Sequence, residues 1–128
     1  MVAANTVTVT LARAWDAAEQ AAQAGLIEFV VALDPQGLPD AAAWLGDPEP
    51  WPASLARPGE APLQGDVALD EGGWQLRFVM AGAMDPDAPA HRLRNLGGGL
   101  RPGEVLTLRA PDGEEAAWRV VGVKPREA

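Results

Sequence analysis

The chain has no cysteine and no tyrosine, one histidine (His91), one serine (Ser54) and one lysine (Lys124). Without cysteine there is neither a disulfide framework nor a thiolate metal site, and a small secreted domain commonly depends on one of these. A zinc site would have to be assembled from His91 and carboxylates alone, and no metal or other cofactor is expected. A serine triad would need Ser54 and His91. Ser54 lies in "WPASLARP", which has no glycine-flanked turn to present a nucleophile and no evident oxyanion-hole loop. No run approaches the roughly 18 apolar residues of a membrane span. The opening "MVAANTVTVTLARAW" lacks the basic region and unbroken apolar run of a secretory signal. The expected location is therefore the cytoplasm or an assembled particle, without membrane insertion.

Basic charge is also scarce. Ten Lys and Arg face 18 Asp and Glu, for a net charge of −8. From Asp16 to Asp87, thirteen acidic residues stand against Arg57 and Arg77, a balance of −11, whereas from His91 onward seven basic and five acidic residues leave +2. An acidic surface repels nucleic acid, whose affinity for proteins rests largely on phosphate neutralisation, so no nucleic-acid partner is expected. The asymmetry serves solubility. It also allows Arg92, Arg94 and Arg101 to form a basic edge that meets an acidic partner or a neighbouring copy.

What the chain does have is β-strand pattern and turns. Its 128 residues include 14 glycines and 12 prolines, and 48% are hydrophobic. The length suits one domain spanning 1–128. "TVTVTLAR" alternates with period two, the pattern of a half-buried strand. "AWDAAEQAAQAG" reads as a thin alanine helix ended by glycine, and its single large apolar residue is Trp15, so its alanines either pack closely or face solvent. "GLIEFVVALD" reads as a strand ending at the turn "DPQG", and "PDAAAWLG" as one helical turn. "DVALDEGGWQLRFVM" is a hairpin with Trp74, Leu76, Phe78 and Met80 facing the core. "DPDAPAHRLRNLGGG" suggests Asp87 capping a turn or two of helix, with His91 exposed, before "EVLTLRA", "PDG" and "EAAWRVVGV" form a last hairpin. The expected fold is mainly β: a small antiparallel sandwich or barrel of about six strands with one or two short helices.

The segment 47–63, "DPEPWPASLARPGEAPL", carries five prolines around Trp51. As a linker it would leave a first piece too small to hold a core, and Trp51, Leu55 and Leu63 give it an apolar load that a solvated linker would not keep. The segment is expected to be an ordered arm against the domain. Its acidic flank suits a proline-rich peptide ligand poorly.

Carboxylates are abundant, but Asp34, Asp47, Asp85 and Asp112 each adjoin a proline, which is turn chemistry. Neither Asp85 with Asp87 nor Asp112 with Glu114 and Glu115 has the spacing of a calcium loop. "NLGGGLRPG" lacks the lysine and following helix of a phosphate loop. Trp74 and Trp118 are expected in the core, while Trp44 and Trp51 flank irregular chain and either close the core as a lid or are candidates for contact.

The leading expectation is a non-enzymatic structural or assembly subunit, as in a phage-like virion, an appendage or a secretion assembly. Its candidate contacts to a protein partner or further copies of itself are Trp44, Trp51, Leu55, Arg92, Arg94 and Arg101, helped by exposed strand edges. The alternative is a carbohydrate-binding module stacking a glycan on exposed Trp44 or Trp51. The third is a small hydrolase with a carboxylate site.

Overall fold

The computed structural model describes residues 6–15, 17–79, 90–96 and 98–126. Eight antiparallel strands, each paired with its neighbours in sequence, close into a barrel: β1 (Thr6–Arg13), β2 (Leu26–Ala32), β3 (Trp51–Ala56), β4 (Leu63–Asp70), β5 (Gly73–Val79), β6 (Ala90–Arg94), β7 (Val105–Arg109) and β8 (Glu115–Pro125). Two short helices, α1 (Ala18–Ala24) and α2 (Ala41–Gly46), lie in the β1–β2 and β2–β3 connections. The fold is mainly β, as the alternation in the sequence implies.

Register shows which side chains fill the interior. Cross-strand partners Leu11↔Ile27, Phe29↔Ala53, Trp51↔Val67, Leu76↔His91, Leu93↔Leu108, Leu106↔Trp118 and Leu11↔Val120 form successive inward-facing pairs around the barrel. All but His91 belong to the buried core, and no polar or charged residue is buried among the described residues. An eight-stranded barrel is just wide enough for side chains to fill it. The threonines of β1 take the opposite, outward parity. Where β1 meets β8 the register shifts between Thr10 and Leu11, and Val121 is the extra residue of this bulge.

One glycine is required by close packing. Gly65 on β4 pairs with both Ala53 and Phe78, and a Cβ there would overlap the carbonyl of Arg77. This position brings neighbouring backbones together where the barrel bends.

The chain closes the upper end of the barrel after β2. Asp34 accepts hydrogen bonds from the amides of Gln36 and Leu38, the chain returns through a Leu33↔Pro39 bridge, and Asp40 caps α2 by accepting from the Ala43 amide. The β6–β7 connection meets this loop: the Leu100 amide donates to the Gly37 carbonyl at 2.7 Å, and buried Leu100 joins the core.

Two strands appear where the sequence pattern suggested something else, which accounts for eight rather than six. The stretch expected as an arm supplies β3, with Trp51, Ala53 and Leu55 inward and Pro52 outward. Pro52 is tolerated because it stands one residue beyond the last β2 partner, Ala53↔Phe29, where only one flank has a neighbour. The helix expected before the triple glycine is instead strand β6, since pairing with β5 and β7 outweighs the weak local helix signal. Asp85, Asp87 and Met80 lie outside the described residues. Closure also gives each described strand a paired neighbour on both sides, so among the described residues no strand stands at a sheet edge, contrary to the expectation that edges would make contacts.

Candidate functional site

The residues singled out in the sequence fall into three places. Trp44 and Trp51 meet at the upper end of the barrel together with Trp74. Trp51 stacks on Trp74 with centroids 6.0 Å apart and planes 9° from parallel, and Trp44 meets Trp74 edge-on at 6.1 Å. Each indole N–H of the two outer members is satisfied: Trp44 Nε1 donates to the Val67 carbonyl at 3.1 Å, and Trp51 Nε1 donates to Asp47 Oδ2 at 2.9 Å. The Glu49 amide and the Trp51 indole hold the Asp47 carboxyl below the usual carboxylate range.

This cluster closes the core. Trp51 is 1% exposed and Trp44 is half-buried, so Trp51 offers no face to a sugar and acts as a lid on the core. Leu55 points into the barrel and is likewise buried. The irregular sequence concealed a strand, and period two within "WPASLA" places both residues inward. Trp118 is buried as expected, whereas Trp74 is half-buried and links core to cap.

The three arginines form no free basic edge. Arg92 and Arg94 share the outer face of β6. Arg92 makes a two-pronged ion pair with Asp70, both contacts at 2.9 Å, and this pairing with the Gly72 amide lowers the Asp70 pKa to about 2. Arg94 lies 3.6 Å from Glu115. Arg101 sits at the upper end, donating to the Gln36 and Gly98 carbonyls, and so fastens two loops together. Each group is engaged within its own chain.

His91 is on the inward side of β6, opposite Leu76, rather than in an exposed helix. Its ring meets Phe78 edge-on at 5.5 Å, and Nδ1 is buried without a hydrogen-bond partner. Burial, and secondarily the charge of Arg57, depress its pKa below the usual histidine range, with Asp112 opposing the shift. Ser54 is on the outward face of β3, between Glu28 and Gln64. The chain's single histidine and single serine thus occupy opposite sides of the barrel wall and cannot act as a nucleophile–base pair. Among the described residues, no three His, Asp or Glu side chains gather as a metal-ligand group.

A surface that sequence reasoning did not select lies at the lower end, where β1 passes into α1. Trp15 is 78% exposed and has φ 65°, the left-handed region that residues other than glycine generally avoid. At the same end of β1, Ala12, Leu26 and Ala56 are aligned across β1, β2 and β3 by their register. They face outward, as the inward parity of Leu11, Ile27 and Leu55 requires. With Ala21 and Ala22 of α1 and with Pro58 they line an open groove of about 550 Å³. The groove exists because alanines on α1 are too small to fill the space between helix and barrel. Its sequence signal was the isolated Trp15 in an alanine-rich segment.

No family model, curated protein or solved structure matches this chain. The interior is occupied by aliphatic and aromatic side chains, whereas large apolar side chains are exposed at Trp15, Leu26, Leu45 and Val121, of which Leu26 lines the groove. Single exposed apolar residues are ordinary, but an exposed leucine lining an apolar groove, with an exposed tryptophan in the adjoining β1–α1 connection, makes a candidate protein-contact surface.

Proposed function

We propose that this chain is a non-enzymatic structural or assembly subunit that works through protein–protein contact at the β1–α1 corner. The observation that carries this reading is an apolar groove between α1 and the barrel wall, together with an exposed Trp15 in the β1–α1 connection, on a barrel whose interior is packed with apolar side chains. Tryptophan is enriched among residues that dominate binding energy, and a filled barrel is a rigid support for such an anchor. A component of a phage-like virion, an appendage or a secretion assembly fits this reading. So does the net charge of −8, which disfavours nucleic acid and keeps the free subunit dispersed.

The test is the size of the native complex. In extracts of the cells that produce it, the wild-type chain is expected to migrate well above its 13.4 kDa mass. Trp15→Gly is expected to release it to the monomer position. A wild-type chain found as a free monomer throughout its native setting would overturn the proposal.

A further inference from the structure

We infer that the lower end of β6 is an acid-operated latch: the neutral His91 ring is held inside the barrel wall, and on protonation the Ala90–His91 end of the strand turns over and delivers the ring to water at a hollow beside the β7–β8 turn. The latch is independent of the contact surface proposed above.

The inner position suits the neutral ring alone. His91 lies opposite Leu76 and edge-on to Phe78, both members of the buried core, and its Nδ1 is buried without a partner. A neutral imidazole can leave Nδ1 as an unprotonated acceptor, at the cost of one unmade hydrogen bond. The imidazolium carries N–H at both nitrogens, so its Nδ1 proton would meet surroundings that hold no acceptor, and its charge would be cut off from water on that side. The inward residues of the flanking strands are apolar: Leu76 and Phe78 on β5, Leu106 and Leu108 on β7. Among the described residues, the charged groups that act on the ring are Arg57, which follows β3 and opposes protonation, and Asp112 in the β7–β8 turn, which favours it.

The outer position is on the other face of the same strand. Ala90, Arg92 and Arg109, all of outward parity, line with Asp112 and the β7–β8 turn an open hollow of about 350 Å³. Arg92 is neutralised there by Asp70, so a charged ring turned outward meets water, Asp112 and Arg109 in place of apolar wall. Side chains alternate along a strand, so turning its end over exchanges the two faces.

The move breaks little. Ala90 and His91 pair with Arg77 and Leu76 of β5, whereas the described β6–β7 register begins only at Arg92. Beyond His91 the strand stays fastened. Arg92 grips Asp70 through two contacts at 2.9 Å, the Asp70 pKa is lowered to about 2 so that it remains ionised in mild acid, and Leu93 is buried. The opened end uncovers Phe78 and frees the β5 backbone at Leu76 and Arg77, a stretch that is paired in the closed barrel.

Hydrogen exchange of the backbone amides of the intact chain, compared at about pH 7.5 and 5.5 after correction for intrinsic rates, tests this. The opened ring takes up its proton near the ordinary histidine value of about 6.5 and the closed ring only at lower pH, so opening should increase by about tenfold over this interval. The β6 amides should lose protection by that factor while remaining less protected than those of β1. Their exchange should not respond to urea below the unfolding transition, the mark of an opening that exposes little surface. His91→Leu fills the inner position with an apolar side chain and should abolish the pH effect on β6. Asp112→Asn keeps the turn, since asparagine still accepts from the Glu114 amide, and should shrink the effect. Protection of β6 that ignores pH in wild type, that falls equally in His91→Leu, or that follows β1 in both level and urea dependence overturns the latch. An unchanged pH effect in Asp112→Asn overturns the outer position assigned to the ring.

Discussion

Replacing Trp51 with alanine should be among the most damaging single changes in this protein. The indole is 1% exposed, stacks on Trp74 and donates to Asp47, so truncation removes a large buried surface and leaves a cavity that β3 and β4 can only partly close. A buried tryptophan covers about 150–250 Å², which corresponds to about 4–6 kcal/mol of transfer free energy as an upper bound. Measured aromatic-to-alanine losses in cores cluster at about 3–5 kcal/mol, and we expect Trp51→Ala to fall there. Against a total stability of about 5–15 kcal/mol, this is a large share. In urea unfolding followed by circular dichroism, with a slope of about 1–3 kcal/mol per molar, the midpoint should fall by about 1–5 M. A cycle of Trp51→Leu, Trp74→Leu and the double variant should return a coupling of about 0.5–1.5 kcal/mol for the stacked pair. A loss below about 1 kcal/mol for Trp51→Ala would refute the placement of this side chain in the core. Zero coupling would refute the stack.

Two further predictions concern the barrel wall. His91 is the single histidine, and its folded-state pKa lies below its unfolded value, so the unfolded chain takes up the proton first as pH falls. Stability should therefore be full above about pH 6.5 and decline as the pH drops below it, levelling once folded His91 is itself protonated. Urea midpoints at pH 7.5 and 5.5 should differ for wild type and much less for His91→Gln; equal pH slopes would show that His91 is not desolvated. Gly65→Ala should cost about 1–3 kcal/mol or more by overpacking, because its Cβ would overlap the Arg77 carbonyl. Unchanged thermal stability of that variant would mean that β4 and β5 are farther apart at this point.

Much of the fold was legible because period two is a local property. The alternations in "TVTVTLAR" and "GWQLRFV" announced β1 and β5, and "DEGG" and "PDG" announced the β4–β5 and β7–β8 turns. The missed strands carry contrary local signals: prolines surround Trp51 to Ala56, and the charged "AHRLR" gives only Leu93 a buried side. Both are strands because neighbours on two sides offer hydrogen-bond partners, a tertiary circumstance that local propensity does not contain. The proposed contact surface was half-legible, since Trp15 stood alone among alanines but the groove is shared by three strands and a helix.

The amino-acid sequence by itself determined the β character, the turn positions, the acidic charge and the shortage of nucleophiles and ligands, because each is a matter of composition or short-range order. Tertiary structure alone decided that the sheet closes on itself, that Trp51, Leu55 and His91 turn inward, and that Trp15 is left outside. The physical reason is that closure assigns every residue of a strand to one side of the wall, and which side depends on register with strands far away in the chain.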